Sequence, residues 1–320
     1  TGVQTCALPI CLQCVAGVPI RKGSGIQIYP GDTSLYDWEG LVPFEELPLE
    51  LNPSRGYVSS ANNKTVDDEY PYYISHWFAT PNRIRRIREM LEAKEKLGIA
   101  DFKEMQADVK SSKAQKWVPV FLQALAQQSS WDETEKAAME KLMDWDFVLT
   151  RESQAASVFE LLYRNVAFNL LKDDLSPELF EKLQGQRILL ENLMLNVLSD
   201  RTSPWIDDVT TPERETFSGI VVRSFKGAVG ELKNTMGSGV ESWNWGKLHT
   251  FTLSHPLGVV PALDKALNLN RGPFEMPGSF HTVCPYSYSY TNLYKVNHGA
   301  SHRHIYDVAN WDASQTVIPT

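Results

Sequence analysis

With 320 residues, 42% of them hydrophobic, the chain is long enough to bury a real core. A formal net charge of −8 argues against nucleic-acid binding, which relies on clustered Lys and Arg. No apolar run approaches the length that spans a bilayer.

The first ten residues, Thr1 to Ile10, read as the translation of a sequencing-adapter oligonucleotide. They lack an initiating Met and the charged-then-apolar order of a signal peptide, and are set aside. Residues 11–80 read as a β-rich segment. Val15 to Ile20, Ile26 to Tyr29 and Tyr57 to Ala61 are short apolar runs broken by Gly and Pro. From Pro81 the period changes, and 81–240 reads as helical. Ile84, Ile87 and Leu91 recur at helical spacing and stop at Gly98, read as a C′ residue. Helices follow at Ala100 to Lys110 and Ala114 to Gln128. Ser130-Trp131-Asp132-Glu133 reads as a capping box opening a helix that reaches Met143. Ala155 to Leu171 is a long apolar-rich helix. Ser176-Pro177-Glu178 and Thr211-Pro212-Glu213 each place a cap before Pro at the first helical position. The second of these helices runs to about Met236 and ends at Gly237 and Gly239. In 241–320 strand signals return, at His249 to Leu253, Leu293 to Asn297, Ile305 to Val308 and Thr316 to Ile318. Strands, a helical block, then strands predict an α+β fold with a large helical insertion.

Several features have plain explanations. Arg83-Ile84-Arg85-Arg86-Ile87-Arg88 is basic, but its Ile residues and Leu91 share one helical face, leaving the remaining arginines solvated. Cys11-Leu12-Gln13-Cys14 is a CxxC without the second pair a structural zinc needs, and reads as a strand pair. His302 and His304 share a strand face near His298, yet no thiol or carboxylate at ligand spacing completes a metal set. Trp243 and Trp245 read as core aromatics.

The most informative stretch is Asn52 to Asn63, where an Asn-Pro turn and Gly56 lead into a strand-like run ending on Asn62-Asn63. An asparagine amide is an uncharged, non-titrating donor, the kind an oxyanion hole needs. Taken alone, such a pair is a turn. Its surroundings add information. Upstream are Pro30-Gly31, Tyr36-Asp37-Trp38-Glu39-Gly40-Leu41-Val42-Pro43-Phe44 and Leu47-Pro48, and downstream are Tyr70-Pro71-Tyr72-Tyr73 and Asn82-Arg83-Ile84. Trp245-Gly246-Lys247-Leu248-His249, His255-Pro256-Leu257-Gly258, Asn270-Arg271-Gly272-Pro273-Phe274, His298-Gly299-Ala300-Ser301-His302-Arg303 and Asn310-Trp311-Asp312-Ala313-Ser314 continue the pattern. In this order the chain resembles the catalytic β chain of the penicillin acylase family of N-terminal-nucleophile hydrolases, from about residue 11 to its end.

The resemblance implies a partial four-layer αββα sandwich and hydrolysis of linear amides, penicillin-like or N-acyl homoserine lactone-like. It implies a serine nucleophile freed at a chain N-terminus, whose α-amino group is the base, and an acyl-enzyme. That serine would lie upstream of residue 11, and further residues would follow residue 320. The chain is therefore expected to be an internal fragment, inactive by itself. Asn62 matches the oxyanion donor, with Asn63 the alternative one register away. Arg83 matches an arginine that orients the asparagine and the serine's amine. A cation is unfavourable in a helix's first turn, so Arg83 needs such a reason more than Arg85 or Arg86. No cofactor is implied for catalysis. A structural calcium is, but the expected aspartate after Tyr70-Pro71 is replaced by Tyr72, Tyr73 and Ile74, and Asp67, Asp68 and Glu69 read as a solvated loop. An α chain from the same precursor is the implied partner, and a periplasmic or secreted location is implied. The rival reading is a family member kept as a non-catalytic binding or structural protein.

Overall fold

The computed structural model describes residues 12–14 and 17–318. The adapter-like residues 1–10 and Cys11 lie outside them. The chain forms two compact units: residues 1–97 with 307–312, and 98–306 with 313–320.

In the first unit, β1 (Leu12–Cys14) pairs antiparallel with β4 (Leu49–Leu51), and β2 (Pro19–Arg21) with β3 (Trp38–Leu41). Val18, Val42 and Leu47 form a small core under them, with Ile20 and Tyr72 against it. Ile26 to Tyr29 and Tyr57 to Ala61 are not strands; neither run has a ladder partner among the described residues. Helix α1 (Asn82–Glu92) starts directly after Pro81 and buries Ile84, Ile87 and Leu91. These recur every three to four residues, one stripe of a helix. Gly98 does not close this helix. It is the N-cap of α2 (Ile99–Ala107), with its own N–H on Asp101 Oδ2 at 2.8 Å.

The second unit is mainly helical: α2, α3 (Ser112–Leu125), α4 (Glu133–Met143), α5 (Gln154–Asn169), α6 (Pro177–Gln184), α7 (Arg187–Ser199) and α8 (Phe217–Met236). Helix α5 is buried without a break from Ala155 to Tyr163, the mark of a helix surrounded by others. It packs on α4, α7 and α8. Trp117, Phe121, Phe159 and Tyr163 fill the space between α3 and α5, with ring centroids 5.4–6.4 Å apart. Trp243 and Trp245 are fully buried.

Two caps differ from the sequence reading. The box before α4 is Asp132 with Glu135, not Ser130 with Glu133: Asp132 Oδ1 accepts from Glu135 N at 2.7 Å, and Glu135 Oε2 from Asp132 N at 2.8 Å. Helix α8 is capped by Thr216, whose Oγ1 accepts from Gly219 N at 3.1 Å, while Thr211 Oγ1 donates to Glu215 Oε1 within the preceding loop at 2.8 Å. Gly237 ends α8 at φ +87°, a conformation that favours glycine.

After α9 (Trp245–Leu248) come β5 (Thr250–Leu253), α10 (Pro261–Leu267) and β6 (Arg271–Glu275), with β5 and β6 antiparallel. Then β7 (Tyr286–Ser287) pairs with β8 (His298–Gly299), and β9 (Arg303–Ile305) with β10 (Gln315–Val317). Leu293 to Asn297 is not a strand; it makes only a single bridge, Lys295 to Thr250. Among the described residues the named strands form five two-stranded ladders. Among the described residues no helix is long and apolar enough to cross a membrane.

A charged network is sealed into the second unit. Lys113 and Glu160 are 2.9 Å apart and essentially inaccessible. Tyr288 donates to Glu160, and Lys113 Nζ lies 4.3 Å from the Tyr163 ring centre. Next to them Glu191 meets His281 at 2.7 Å and Arg187 at 3.7 Å. Two cations face two carboxylates, so the cluster balances when His281 is neutral.

Candidate active site

Asn62 and Arg83 come together in the first unit. Arg83 Nη2 donates to Asn62 Oδ1 at 2.8 Å and to the Ala61 carbonyl at 3.0 Å. Arg83 is buried at the start of α1, whereas Asn62 is exposed. A guanidinium carries donors only, so the amide oxygen, not its nitrogen, must face Arg83. Asn62 Nδ2 is thereby turned away, and donates to nothing among the described residues. The backbone is held as firmly. Ala79 N donates to the Asn62 carbonyl at 2.8 Å, and Asn62 sits in the left-handed region at φ +63°, which asparagine tolerates better than most residues.

Asn63 is arranged differently. Its Oδ1 accepts from Ala61 N at 3.0 Å and its Nδ2 donates to the Lys64 carbonyl at 2.7 Å. Both ends of that amide serve the turn, which is the ordinary use of such a residue. Of the two registers open in the sequence, the structure leaves a free donor at Asn62.

On the Asn63 side lies a cavity of about 400 Å³ bordered by Arg55, Ser59, Asn63, Lys64, Asp67 and Arg88 among others. Arg55 is paired with Glu50, and Lys64 with Asp68. Asp67, Asp68 and Glu69 are exposed, as a solvated loop should be.

The resemblance implies a calcium-ligating aspartate after Tyr70-Pro71, where this chain has Tyr72, Tyr73 and Ile74. At the expected ligand position Tyr72 donates to Glu46 Oε2 at 2.5 Å, and Tyr73 packs its ring on His76. Neither supplies the carboxylate oxygen that calcium takes. Among the described residues no three His, Cys, Asp or Glu converge as a metal set. The rings of His302 and His304 are tilted at 53° with centres 4.8 Å apart. Cys284 is buried and accepts from Arg303 Nη2 at 3.2 Å. The side chains of Cys11 and Cys14 lie outside the described set.

Two contacts beside the site had a weak sequence signal. Tyr57 donates to Glu92, and Arg88 Nε reaches Ser59 Oγ at 3.4 Å. Positions 57, 59 and 61 have the period of an extended chain, and 83, 88 and 92 lie along one helix, but nothing in the sequence pairs them.

Residues 9–320 match the family model for penicillin amidase. An acyl-homoserine lactone acylase of Pseudomonas syringae pv. tomato is 29% identical over 74% of this chain and 31% of its own length. A penicillin acylase 2 proenzyme of Pseudomonas sp. is 27% identical over 95% of this chain and 38% of its own. The chain thus spans about a third of the curated relatives it matches. A solved penicillin G acylase of Alcaligenes faecalis aligns at 20% identity over 71% of this chain and 45% of that one, with a TM-score of 0.48.

Proposed function

The chain belongs to the penicillin amidase family, and from that membership we propose that it forms part of the catalytic chain of a linear-amide hydrolase in which Asn62 is an oxyanion donor and Arg83 its support. The observation that carries this is the 2.8 Å contact from buried Arg83 to Asn62 Oδ1, which turns the amide N–H away from Arg83.

In this reading the N-terminal serine of the catalytic chain attacks the amide carbonyl, its own α-amino group takes the proton, and that proton passes to the leaving amine as the C–N bond breaks. Water then hydrolyses the acyl-enzyme. Asn62 meets the negative charge that develops on the carbonyl oxygen in both halves. A neutral donor fits this task, because it favours the charged transition state over the ground state without binding a substrate anion tightly. The guanidinium behind Asn62 polarises its amide and strengthens the donor. The ladders of the chain are taken as pieces of the family's αββα sandwich, with an α chain of the same precursor as partner. Amides of the penicillin and N-acyl homoserine lactone types are the substrate classes, since relatives named for both match. A periplasmic or secreted location goes with these substrates. No step runs through a metal.

The test is Asn62→Gly in the complete precursor, assayed on a penicillin and on an N-acyl homoserine lactone. Glycine removes the amide yet accepts φ +63°, where alanine would add about 1–2 kcal/mol of strain. Expected is a kcat loss of roughly 100- to 1000-fold with KM little changed. Unaltered turnover in Asn62→Gly would refute the role. A processed wild-type protein with no hydrolysis of either substrate would favour the non-catalytic family member.

A further inference from the structure

Three contacts tie residues 57–62 to α1. Tyr57 Oη donates to Glu92, the last residue of the helix. Arg88 Nε donates to Ser59 Oγ at 3.4 Å. Arg83 Nη2 donates to Ala61 O and Asn62 Oδ1. As the segment advances through 57, 59 and 61, its helical partner retreats through 92, 88 and 83. Four residues of an extended chain, 57 to 61, rise about 13 Å, and the nine helical residues from 83 to 92 rise about 13.5 Å. The two lengths match, so the segment can run antiparallel to the helix axis, crossing from one flank of its buried face to the other. Asn62 leaves the alternation through its left-handed backbone.

We propose that the Tyr57–Glu92 hydrogen bond is a positioning contact for Asn62: it sets the register of the segment on α1 and so places the amide at the opposite end of the same helix. This rests on Asn62 being the oxyanion donor. The Tyr57 hydroxyl is committed to Glu92, nine residues along α1 from Arg83. It acts through α1, whose Ile84, Ile87 and Leu91 are buried and leave the helix little freedom to rotate. Displacements on the order of 1 Å at a reacting centre can cost about 100-fold in rate, so a small slip here has a kinetic consequence. Burial, reinforced by the bond to Glu92, pushes the Tyr57 phenol up to about 12. The donor therefore keeps its proton at working pH.

The experiment uses the complete precursor with Tyr57→Phe, Glu92→Ala, Glu92→Gln and Asn62→Gly. Steady-state kcat and KM are measured on an N-acyl homoserine lactone, together with hydrogen exchange of the Ala79 amide, which bonds the Asn62 carbonyl. Tyr57→Phe and Glu92→Ala are expected to lower kcat about tenfold at unchanged KM and to speed Ala79 exchange, the signature of a misplaced donor. Glu92→Gln keeps an acceptor and should stay within about twofold of the parent. If Asn62→Gly is inactive while Tyr57→Phe and Glu92→Ala keep kcat and Ala79 protection, the positioning role is refuted and the donor reading stands. A lower yield of folded protein with normal kcat per folded molecule refutes it too. Full activity in Asn62→Gly removes the donor reading and this inference with it.

Discussion

At the scale of single residues, two adjacent asparagines with the same chemistry are separated by what their amides already do. Asn63 spends both ends on its turn, and Asn62 turns its N–H away from Arg83. Asn63→Ala should therefore leave kcat within about threefold of wild type while loosening the turn by roughly 1 kcal/mol. A larger kcat loss in Asn63→Ala than in Asn62→Gly would reverse the assignment. Arg83→Lys keeps the charge but not the reach and fixed direction of the Nη2 that donates to both Ala61 O and Asn62 Oδ1. It should lower kcat about tenfold and destabilise the fold by roughly 1–3 kcal/mol, read from turnover and a urea midpoint. Both residues were legible in the sequence as candidates because they stand inside recognisable motifs. Their contact was not: 21 positions separate them, and no local pattern says which helical arginine turns back on the asparagine pair.

Among the elements, the long helices were legible because burial on one face imposes a 3.6-residue period on the sequence, as Ile84, Ile87 and Leu91 show. Helix ends were less so. Ser130 and Asp132 both stand three residues before a glutamate, and only the folded geometry shows that Asp132 is the cap. The consequence can be measured. Asp132→Ala should cost about 0.5–2 kcal/mol and Ser130→Ala close to nothing, by thermal or urea unfolding. Gly98 misled for a related reason: glycine is frequent both after a helix and before one, and here Asp101 makes it a start. The two-residue strands β7 and β8 were illegible because their existence depends on partners distant in sequence, as where Tyr286 pairs with Gly299.

For the whole molecule, stability should depend on buried histidines in the second unit. Burial pulls the His249 imidazole from its ordinary 6.5 down to about 4, and it lowers His281 as well. Desolvation holds His249 neutral, against the opposing pull of the contact from Nδ1 to the Leu293 carbonyl at 3.2 Å, and the ring stacks on Trp245. The unfolded chain takes up its proton near pH 6.5, and the folded chain only near pH 4. The stabilisation from His249 is whole above pH 6.5 and drains away as pH falls to 4, by roughly 3 kcal/mol. Urea midpoints between pH 7 and 4 should fall accordingly, and His249→Gln should flatten the curve. An unchanged slope in that variant would locate the acid sensitivity elsewhere. The five separate ladders have a practical outcome of another kind. Trp38, Leu49, Leu51 and Phe274 stand exposed on these two-stranded ladders, where a strand edge can pair with another chain. In the flask and the expression host, this chain is adhesive: light scattering should climb with protein concentration, and Trp38→Lys with Leu51→Lys should delay that climb and raise the recoverable yield.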